Sequence, residues 1–418
     1  MTENPKDTSL SQYDANNDVL ADDGKYRGDG AYQLKEIVIT SPSGGEVDVA
    51  EIFTQCSIYE DLMANTMSAS LSFIDTNNIV KHLPILGQSE KLKIIFQSPS
   101  MDKVTYEFLI YKVGVRALST VGKKQSVTIR AVSSEQFKNT HKRISKSYYD
   151  KIDKMVSSLF DEIKDGKELE VKVKSGTEKR KFIIPNWHPF DAINWLAQRC
   201  TAEENSKACH YVFYQDRDGY KFTTIEKLFE EDTPKMSYLY SPRRYRENPN
   251  NFRDVGFEFR NIQRLIIDEP GNRLDENLKG MYGSKILTHD IVRKKYEFTE
   301  FSLKDEYSST EHVDKAYPIC EQLDKYSSEP DTFWNFCPIH KNLNQENELN
   351  GGDTIEQNEK YSEWLLRRKS LMRQLSSYIV NVTVSGDSRR KCGDTVDLRV
   401  TPLQPGDEEQ KHDKYLNG

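Results

Sequence analysis

Short runs of period-two alternation, each closed by a turn cluster, fill the chain from Gln33 to Val132 and restrict that region to a sheet. In Met67-Ser68-Ala69-Ser70-Leu71-Ser72-Phe73 every second residue is apolar or small. A strand places those residues on one face, whereas a helix would scatter them. Leu34–Ile39, Lys91–Phe96, Tyr106–Val115 and Gln125–Val132 have the same strand character. Between them stand Ser41-Pro42-Ser43-Gly44-Gly45, Asp75-Thr76-Asn77-Asn78, Ser98-Pro99-Ser100 and Val121-Gly122-Lys123, which supply turn chemistry. Five or six short strands at this spacing predict an antiparallel barrel or sandwich.

Beyond Ser134 the period changes. Tyr148, Ile152, Met155, Val156, Leu159, Phe160 and Ile163 recur at helical spacing. A strand pair is expected from Leu169–Val173 and Lys181–Ile184. A helix follows, with Pro189 at its first position, Asp191 against its N-terminal dipole, and Phe190, Ile193, Leu196, Ala197 and Cys200 on one face. His210–Gln215 and Tyr220–Ile225 predict a hairpin turned by Asp216-Arg217-Asp218-Gly219. Phe257–Ile267 suits helix or strand, Gly280–Phe301 holds alternating pieces, and Glu329–Asp353 reads as loop. A strong helix spans 359–378, with Tyr361, Trp364, Leu365, Arg368, Leu371, Met372 and Leu375 on one stripe. Ile379–Val384 and Asp394–Val400 read as strands.

One internal parallel stands out. Gly87-Gln88-Ser89-Glu90-Lys91-Leu92-Lys93-Ile94 and Gly393-Asp394-Thr395-Val396-Asp397-Leu398-Arg399-Val400 each set a glycine before a strand with one buried face. Two versions of one barrel module follow if the parallel is real. The second copy reaches Pro405-Gly406-Asp407 and stops at Gly418 without two further strands. Either a partner covers that edge or a longer natural chain is cut here, and the reading favours the cut.

At 418 residues the chain is long enough for two to four domains. Acids exceed bases by 66 to 59, so the net charge of -7 gives no general basis for nucleic-acid binding. Cysteines at 56, 200, 209, 320, 337 and 392 are too scattered for a disulfide-stapled secreted domain and fit synthesis in a reducing compartment. Met1-Thr2-Glu3-Asn4-Pro5 does not read as a signal peptide, and no apolar run approaches the ~20 residues that span a bilayer, so membrane insertion is not expected.

Catalytic signatures are missing: there is no G-x-S-x-G, P-loop, H-E-x-x-H or EF-hand loop. Cys200, Cys209 and His210 are the strongest metal candidates, and Cys320 with Cys337 and His340 form a second set. Neither offers four ligands at the spacing of structural zinc, so ordinary buried cysteines, no metal and no cofactor are expected. His188 beside Pro189 suits a helix start better than a general base, and no carboxylate pair singles itself out for glycoside hydrolysis. Arg367-Arg368-Lys369 is the best basic cluster, expected on a solvated face or against an acidic neighbour or DNA phosphates.

The order of these parts resembles the baseplate hub family of contractile-tailed (myovirus, T-even-like) bacteriophages. Four segments carry the resemblance: Ile58-Tyr59-Glu60-Asp61-Leu62 leading into Ser68–Asp75; Ile184–Leu196 with its strand, proline and helix; Gly280–Asp290; and the 359–378 helix with the strand and Gly393-Asp394-Thr395-Val396 after it. The resemblance implies an α+β, mainly β, multidomain chain with two tube-type antiparallel β-barrels and inserted α+β domains. The chain then divides into a mobile tail over 1–31, a first barrel over 32–135, an α+β domain over 136–240, a second α+β or loop-rich region over 241–355, and a helix with a partial second barrel over 356–418.

Such hubs are homotrimers in which three chains present six similar modules, and they join a threefold spike to a sixfold tube. The implied function is structural, not enzymatic. The implied partners are the central spike or tail lysozyme protein and the tail tube protein, with tape measure and baseplate wedge proteins as further neighbours. DNA would pass an acidic wall without specific binding. The implied location is the virion's tail baseplate, assembled in the host cytoplasm. For subunit contacts the reading selects Tyr59, Glu60, Asp61, Met63 and Met67, with Arg367 and Arg368 on the long helix. Alternatives are the hub of a type VI secretion-like or prophage-derived spike, a tail-associated cell-wall hydrolase, and a receptor or carbohydrate binder, which would need exposed aromatics gathered on one face.

Overall fold

The computed structural model describes residues 32–76, 79, 85, 87, 90–98, 102–118, 124–177, 179–230, 236–240, 260–268, 272–291, 294–312, 333–339 and 361–400. The tail read over 1–31, Cys320, His340 and the 401–418 segment lie outside them.

Strands β1 (Gln33–Thr40), β2 (Glu46–Asp48), β3 (Phe53–Tyr59), β4 (Ser68–Asp75), β5 (Lys91–Gln97), β6 (Val104–Leu118) and β7 (Gln125–Val132) form one sheet in the order β2-β1-β5-β6-β7-β4-β3. All its ladders are antiparallel. Alternation sends Ile37, Ile39, Leu71, Phe73, Leu92, Ile94, Phe108, Ile110, Val127 and Ile129 to one buried face. That core contains only residues of this sheet and of its own connections, such as Val49, Met67 and Ile85. Among the described residues no second layer contributes to it, so the sheet covers its apolar face by rolling up on itself. Each fully buried side chain of this size contributes about 1.5–3 kcal/mol.

A second unit follows. It contains α1 (Ser134–His141), β8 (Ile144–Asp150), α2 (Ile152–Asp161), β9 (Leu169–Val171), β10 (Arg180–Trp187), α3 (Pro189–Gln198), β11 (Tyr211–Asp216), β12 (Gly219–Thr224) and α4 (Ile225–Phe229). Its core joins Met155, Val156, Leu159 and Phe160 to Phe190, Ile193, Leu196, Phe213, Tyr220 and Phe222. Pro189 stands at the start of α3 as expected, and β11–β12 is a two-residue hairpin with Asp216 paired to Gly219.

Two expectations are corrected here. Tyr148 lies in a strand, opposite Phe182, and the helix starts only at Ile152; both residues are buried in the same core from different elements, which imitates a helical period. Strands at 169–171 and 180–187 exist but do not pair with each other. β9 joins β12 in parallel and β10 joins β8, because α2 separates β8 from β9 and leaves β8 to take the return strand.

The remaining elements are β13 (Met236–Tyr240), β14 (Ile262–Asp268), α5 (Arg273–Leu278), β15 (Gly283–Asp290), β16 (Lys295–Ser302), α6 (Leu303–Tyr307), β17 (Trp334–Ile339), α7 (Tyr361–Ser377), β18 (Ile379–Val384) and β19 (Val396–Val400). β14 pairs antiparallel with β18 and β13 pairs parallel with β19, and a bridge at Leu239–Asn261 links the two ladders. β13, at the end of the 136–240 segment, thus pairs with the C-terminal strand β19. β15 is flanked by β16 and β17. β17 overturns the loop reading of 329–353 over Trp334–Ile339. Pro338 weakened its strand signal but is tolerated because β17 lies at a sheet edge.

Helix α7 lies between two layers. Trp364 and Leu371 are buried as the stripe predicts. Leu366 and Ser370 are buried as well, because the β15 sheet covers a second side, and Met372 is 37% exposed. The molecule is thus α+β, mainly β, with several separate cores. Among the described residues no helix is long and apolar enough to cross a membrane.

Candidate functional site

The segment after β3 alternates in direction. Tyr59 and Met63 are 56% and 54% exposed, and Asp61 Oδ1 accepts a 2.8 Å bond from the Met63 N–H that fixes the turn. Between them, Leu62 packs against the core of Val212, Tyr214, Ile225 and Leu371. Glu60 accepts a 3.2 Å bond from the Cys392 N–H, and burial, with Asp216 nearby, pushes its carboxyl above the ordinary range. Met67 is fully buried in the first sheet's core. Its N–H donates to Gln215 Oε1 at 2.9 Å, and the Ser133 hydroxyl donates to the same oxygen at 2.6 Å. One β11 side chain therefore ties the start of β4 and the end of β7 to the second unit. Of the five residues selected in this segment, Tyr59, Asp61 and Met63 face solvent, whereas Glu60 and Met67 make contacts inside the chain.

Arg367 and Arg368 are not on a solvated face. Arg367 donates through Nη2 and Nε to both oxygens of Glu306, at 2.6 and 2.7 Å. Arg368 Nη1 donates to the carbonyls of Cys209 and Tyr211 at 3.4 and 3.3 Å. Lys369 Nζ reaches Asn335 Oδ1 at 2.8 Å. The whole run seats α7 between the second unit and the β15 sheet, which leaves it no free guanidinium for DNA phosphates. The sequence could not show this, because the partner carbonyls lie more than 150 residues away.

Beneath this helix Cys209, His210 and Glu226 meet, all buried, with their ligand atoms within 4.8 Å of one another. His210 Nδ1 is bonded to Glu226 Oε1, which also accepts the Cys209 N–H at 3.1 Å. His210 Nε2 lies 3.1 Å from the Arg367 carbonyl. Burial opposes a charged imidazole, but the Cys209 sulfur and the Glu226 carboxylate beside it prevail and push the His210 pKa up to about 10. Burial likewise works against the Glu226 anion, yet the bond from His210 holds its pKa below the ordinary value. Cys200, grouped with Cys209 and His210 in the sequence, is outside this cluster, where burial pushes its thiol far up. Glu226 was missed. It stands 16 residues beyond His210, in the first turn of α4, which carries no motif.

The third feature is the outer face of the β15 sheet. Register places Glu300, Lys285 and Trp334 in one row, Phe298, Leu287 and Phe336 in the next, and Tyr296, His289 and Pro338 in the last. Tyr296 is 70% exposed and Phe336 62%. Phe298 meets Trp334 and Tyr296 edge to face at 5.8 and 5.7 Å, and Lys285 Nζ lies over the Phe298 and Trp334 rings. The opposite face, with Ile286 and Phe301, is buried against Leu366. A row-by-row aromatic surface of this kind has the composition of a protein–protein contact. Perpendicular rings suit interdigitation with side chains better than the flat stacking that a sugar ring requires.

No protein-family profile matches the chain. It is 22% identical over 355 residues, 82% of its length and 79% of the relative's, to the probable baseplate hub protein gp334 of Vibrio phage KVP40. The chain is similar to a phage baseplate hub protein. The similarity extends over most of both chains, so it concerns the arrangement of units and not a single shared module. Among solved structures, the 43 kDa tail protein of prophage MuSo2 from Shewanella oneidensis aligns with a TM-score of 0.47 at 10% identity, over 88% of each chain. A tail protein of Neisseria meningitidis MC58 aligns with a TM-score of 0.45 at 10% identity, over 88% of this chain and 86% of that one.

Proposed function

We propose that the chain is a structural baseplate hub subunit of a contractile phage tail: a homotrimeric adaptor that joins a threefold central spike to the sixfold tail tube. The observation that carries this reading is the hub relative's match across 82% of the chain. Two features support it. Among the described residues the first sheet fills its own core, which leaves its outer surface available to a ring contact. The paired strands β13–β19 and β14–β18 expose Val396, Val382 and Ile266, apolar residues that an assembly would cover.

In this reading Tyr59, Asp61 and Met63 lie at contacts between subunits, and the aromatic β15 face meets a neighbouring protein of the baseplate. Neighbours are the central spike or tail lysozyme protein and the tail tube protein, with tape measure and wedge proteins further out. The net charge of -7 suits a wall past which DNA slides without specific binding. The subunit would reach the virion from the host cytoplasm and carry out no reaction.

Light scattering on the purified full chain over a wide concentration range tests the assembly. Three chain masses, reached more fully as concentration rises, are expected. A monomer that persists at the highest concentration and with the cognate spike protein added would overturn the adaptor reading. A peptidoglycan zymogram is expected to show no clearing zone; a zone that survives further purification would favour a hydrolase.

A further inference from the structure

We propose that Cys209, His210 and Glu226 form a binding site for one divalent transition-metal ion of the zinc class, a property separate from the hub reading. The three residues are 0%, 3% and 5% exposed, so the site is shielded from bulk water. Cys209 Sγ lies 3.9 Å from His210 Nδ1. Ligand atoms around a tetrahedral zinc, with bonds of about 2.3 Å to sulfur and 2.0–2.1 Å to nitrogen, stand about 3.5 Å apart. Between sulfur and nitrogen an ion therefore needs shifts of only a few tenths of an ångström, while Nδ1 and the Glu226 carboxylate, now in hydrogen-bond contact, must part to admit it.

The histidine is oriented as a ligand. Its Nε2 N–H is directed at the Arg367 carbonyl, which leaves Nδ1 facing Glu226 and Cys209, and such an outer carbonyl is the usual partner of a metal-bound imidazole. A second observation points the same way. Glu226 Oε1 is engaged by His210 and Cys209, but Oε2 is buried without a hydrogen-bond partner among the described residues. Unpartnered buried carboxylate oxygens are costly, and a metal ion would satisfy this one. A cavity of about 30 Å³ lined by His210, Glu226, Glu306 and Arg367 adjoins the cluster. It has room for one water as a fourth ligand.

A thiolate and a carboxylate supply two negative charges against one M²⁺, and any proton on Sγ or Nδ1 leaves to solvent as the ion enters. Thiolate and imidazole select zinc, cobalt or iron over magnesium or calcium. The bound ion would join the β11 entry to α4 and, through the Arg367 carbonyl, to α7.

Cobalt(II) titration of the chelator-treated full chain tests this. One Co²⁺ per chain is expected, with a thiolate-to-cobalt charge-transfer band, proton release on binding and displacement by Zn²⁺. The band is expected to vanish in Cys209→Ala and weaken in Glu226→Gln, and to persist in Cys200→Ser and Cys392→Ser. No band in the wild-type chain overturns the proposal whatever the variants do. A band that survives in folded Cys209→Ala assigns the metal to another thiol and overturns it equally. Should Cys209→Ala not fold, His210→Gln under the same titration replaces it: loss of the band supports the site, and an unchanged band overturns it.

Discussion

Gly393 shows how a single residue joins two units. Its φ of +88° lies in the left-handed region, and a Cβ there would stand 2.7 Å from the Tyr214 hydroxyl. Gly393→Ala is expected to destabilise the chain by about 1–3 kcal/mol, read as a lower Tm, because it adds backbone strain to a clash with β11. Gly87, the other half of the internal parallel, also has a positive φ, +76°, so the shared glycine signal corresponds to a shared backbone conformation. Glu135 supports a prediction on pH. Burial pushes its carboxyl above the ordinary value, and the Tyr220 hydroxyl donates to it at 3.2 Å. A folded pKa above the unfolded one makes its stability contribution full below the unfolded pKa and lost as pH rises through the folded pKa. Glu135→Gln keeps an acceptor for Tyr220 and removes the charge. Thermal melts are therefore expected to show the variant's largest advantage at pH 7, shrinking on acidification toward the carboxylate range; an advantage independent of pH would contradict this account.

At the scale of elements, α7 is held by ion pairing as well as by apolar burial. Arg367→Ala leaves the Glu306 carboxylate without its bidentate partner and is expected to cost about 1–3 kcal/mol. Lysine cannot reproduce the planar fork, so Arg367→Lys should recover only part of it. A double-mutant cycle with Glu306→Gln measures the pair. The β15 sheet permits the opposite kind of test. Phe336 and Trp334 are 62% and 52% exposed, so the double variant Phe336→Ser, Trp334→Ser should leave the monomer's Tm nearly unchanged, within about 0.5 kcal/mol per site. If that face is a contact, the same variant should bind its neighbour far more weakly, measured by light scattering or by pull-down of baseplate partners. A large loss of Tm with unchanged assembly would assign the aromatics to folding.

For the whole molecule, the second unit acts as a keystone. Gln215 reaches the first sheet, the β11–β12 turn reaches the C-terminal loop through Arg217 to the Ser388 carbonyl and Lys391 to Asp218, and β11 carries α7 on its carbonyls. Gln215→Ala removes the shared acceptor of Met67 and Ser133 and leaves both donors buried. Expected consequences are a loss of about 1–3 kcal/mol and, in hydrogen exchange, a first sheet that opens separately from the rest. A variant that unfolds in one cooperative step at the wild-type Tm would show the clamp to be dispensable.

The sequence determined whatever depends on local period and backbone chemistry. The first sheet's strands, the proline-started helix α3, the β11–β12 hairpin, α7 and the turn glycines were all legible, because alternation, capping and left-handed glycines act over a few residues. It also carried the likeness to baseplate hubs, through the order of its segments. The tertiary structure decided the rest. β9 and β10 chose partners other than each other. β17 became a strand at an edge that tolerates Pro338. Arg368, on the stripe of α7, found its partners in the Cys209 and Tyr211 carbonyls. Glu226 came to Cys209 and His210, and the aromatics of β16 and β17 gathered on one exposed face. Each of these outcomes rests on contacts between residues far apart in the chain, and such contacts leave no periodic trace.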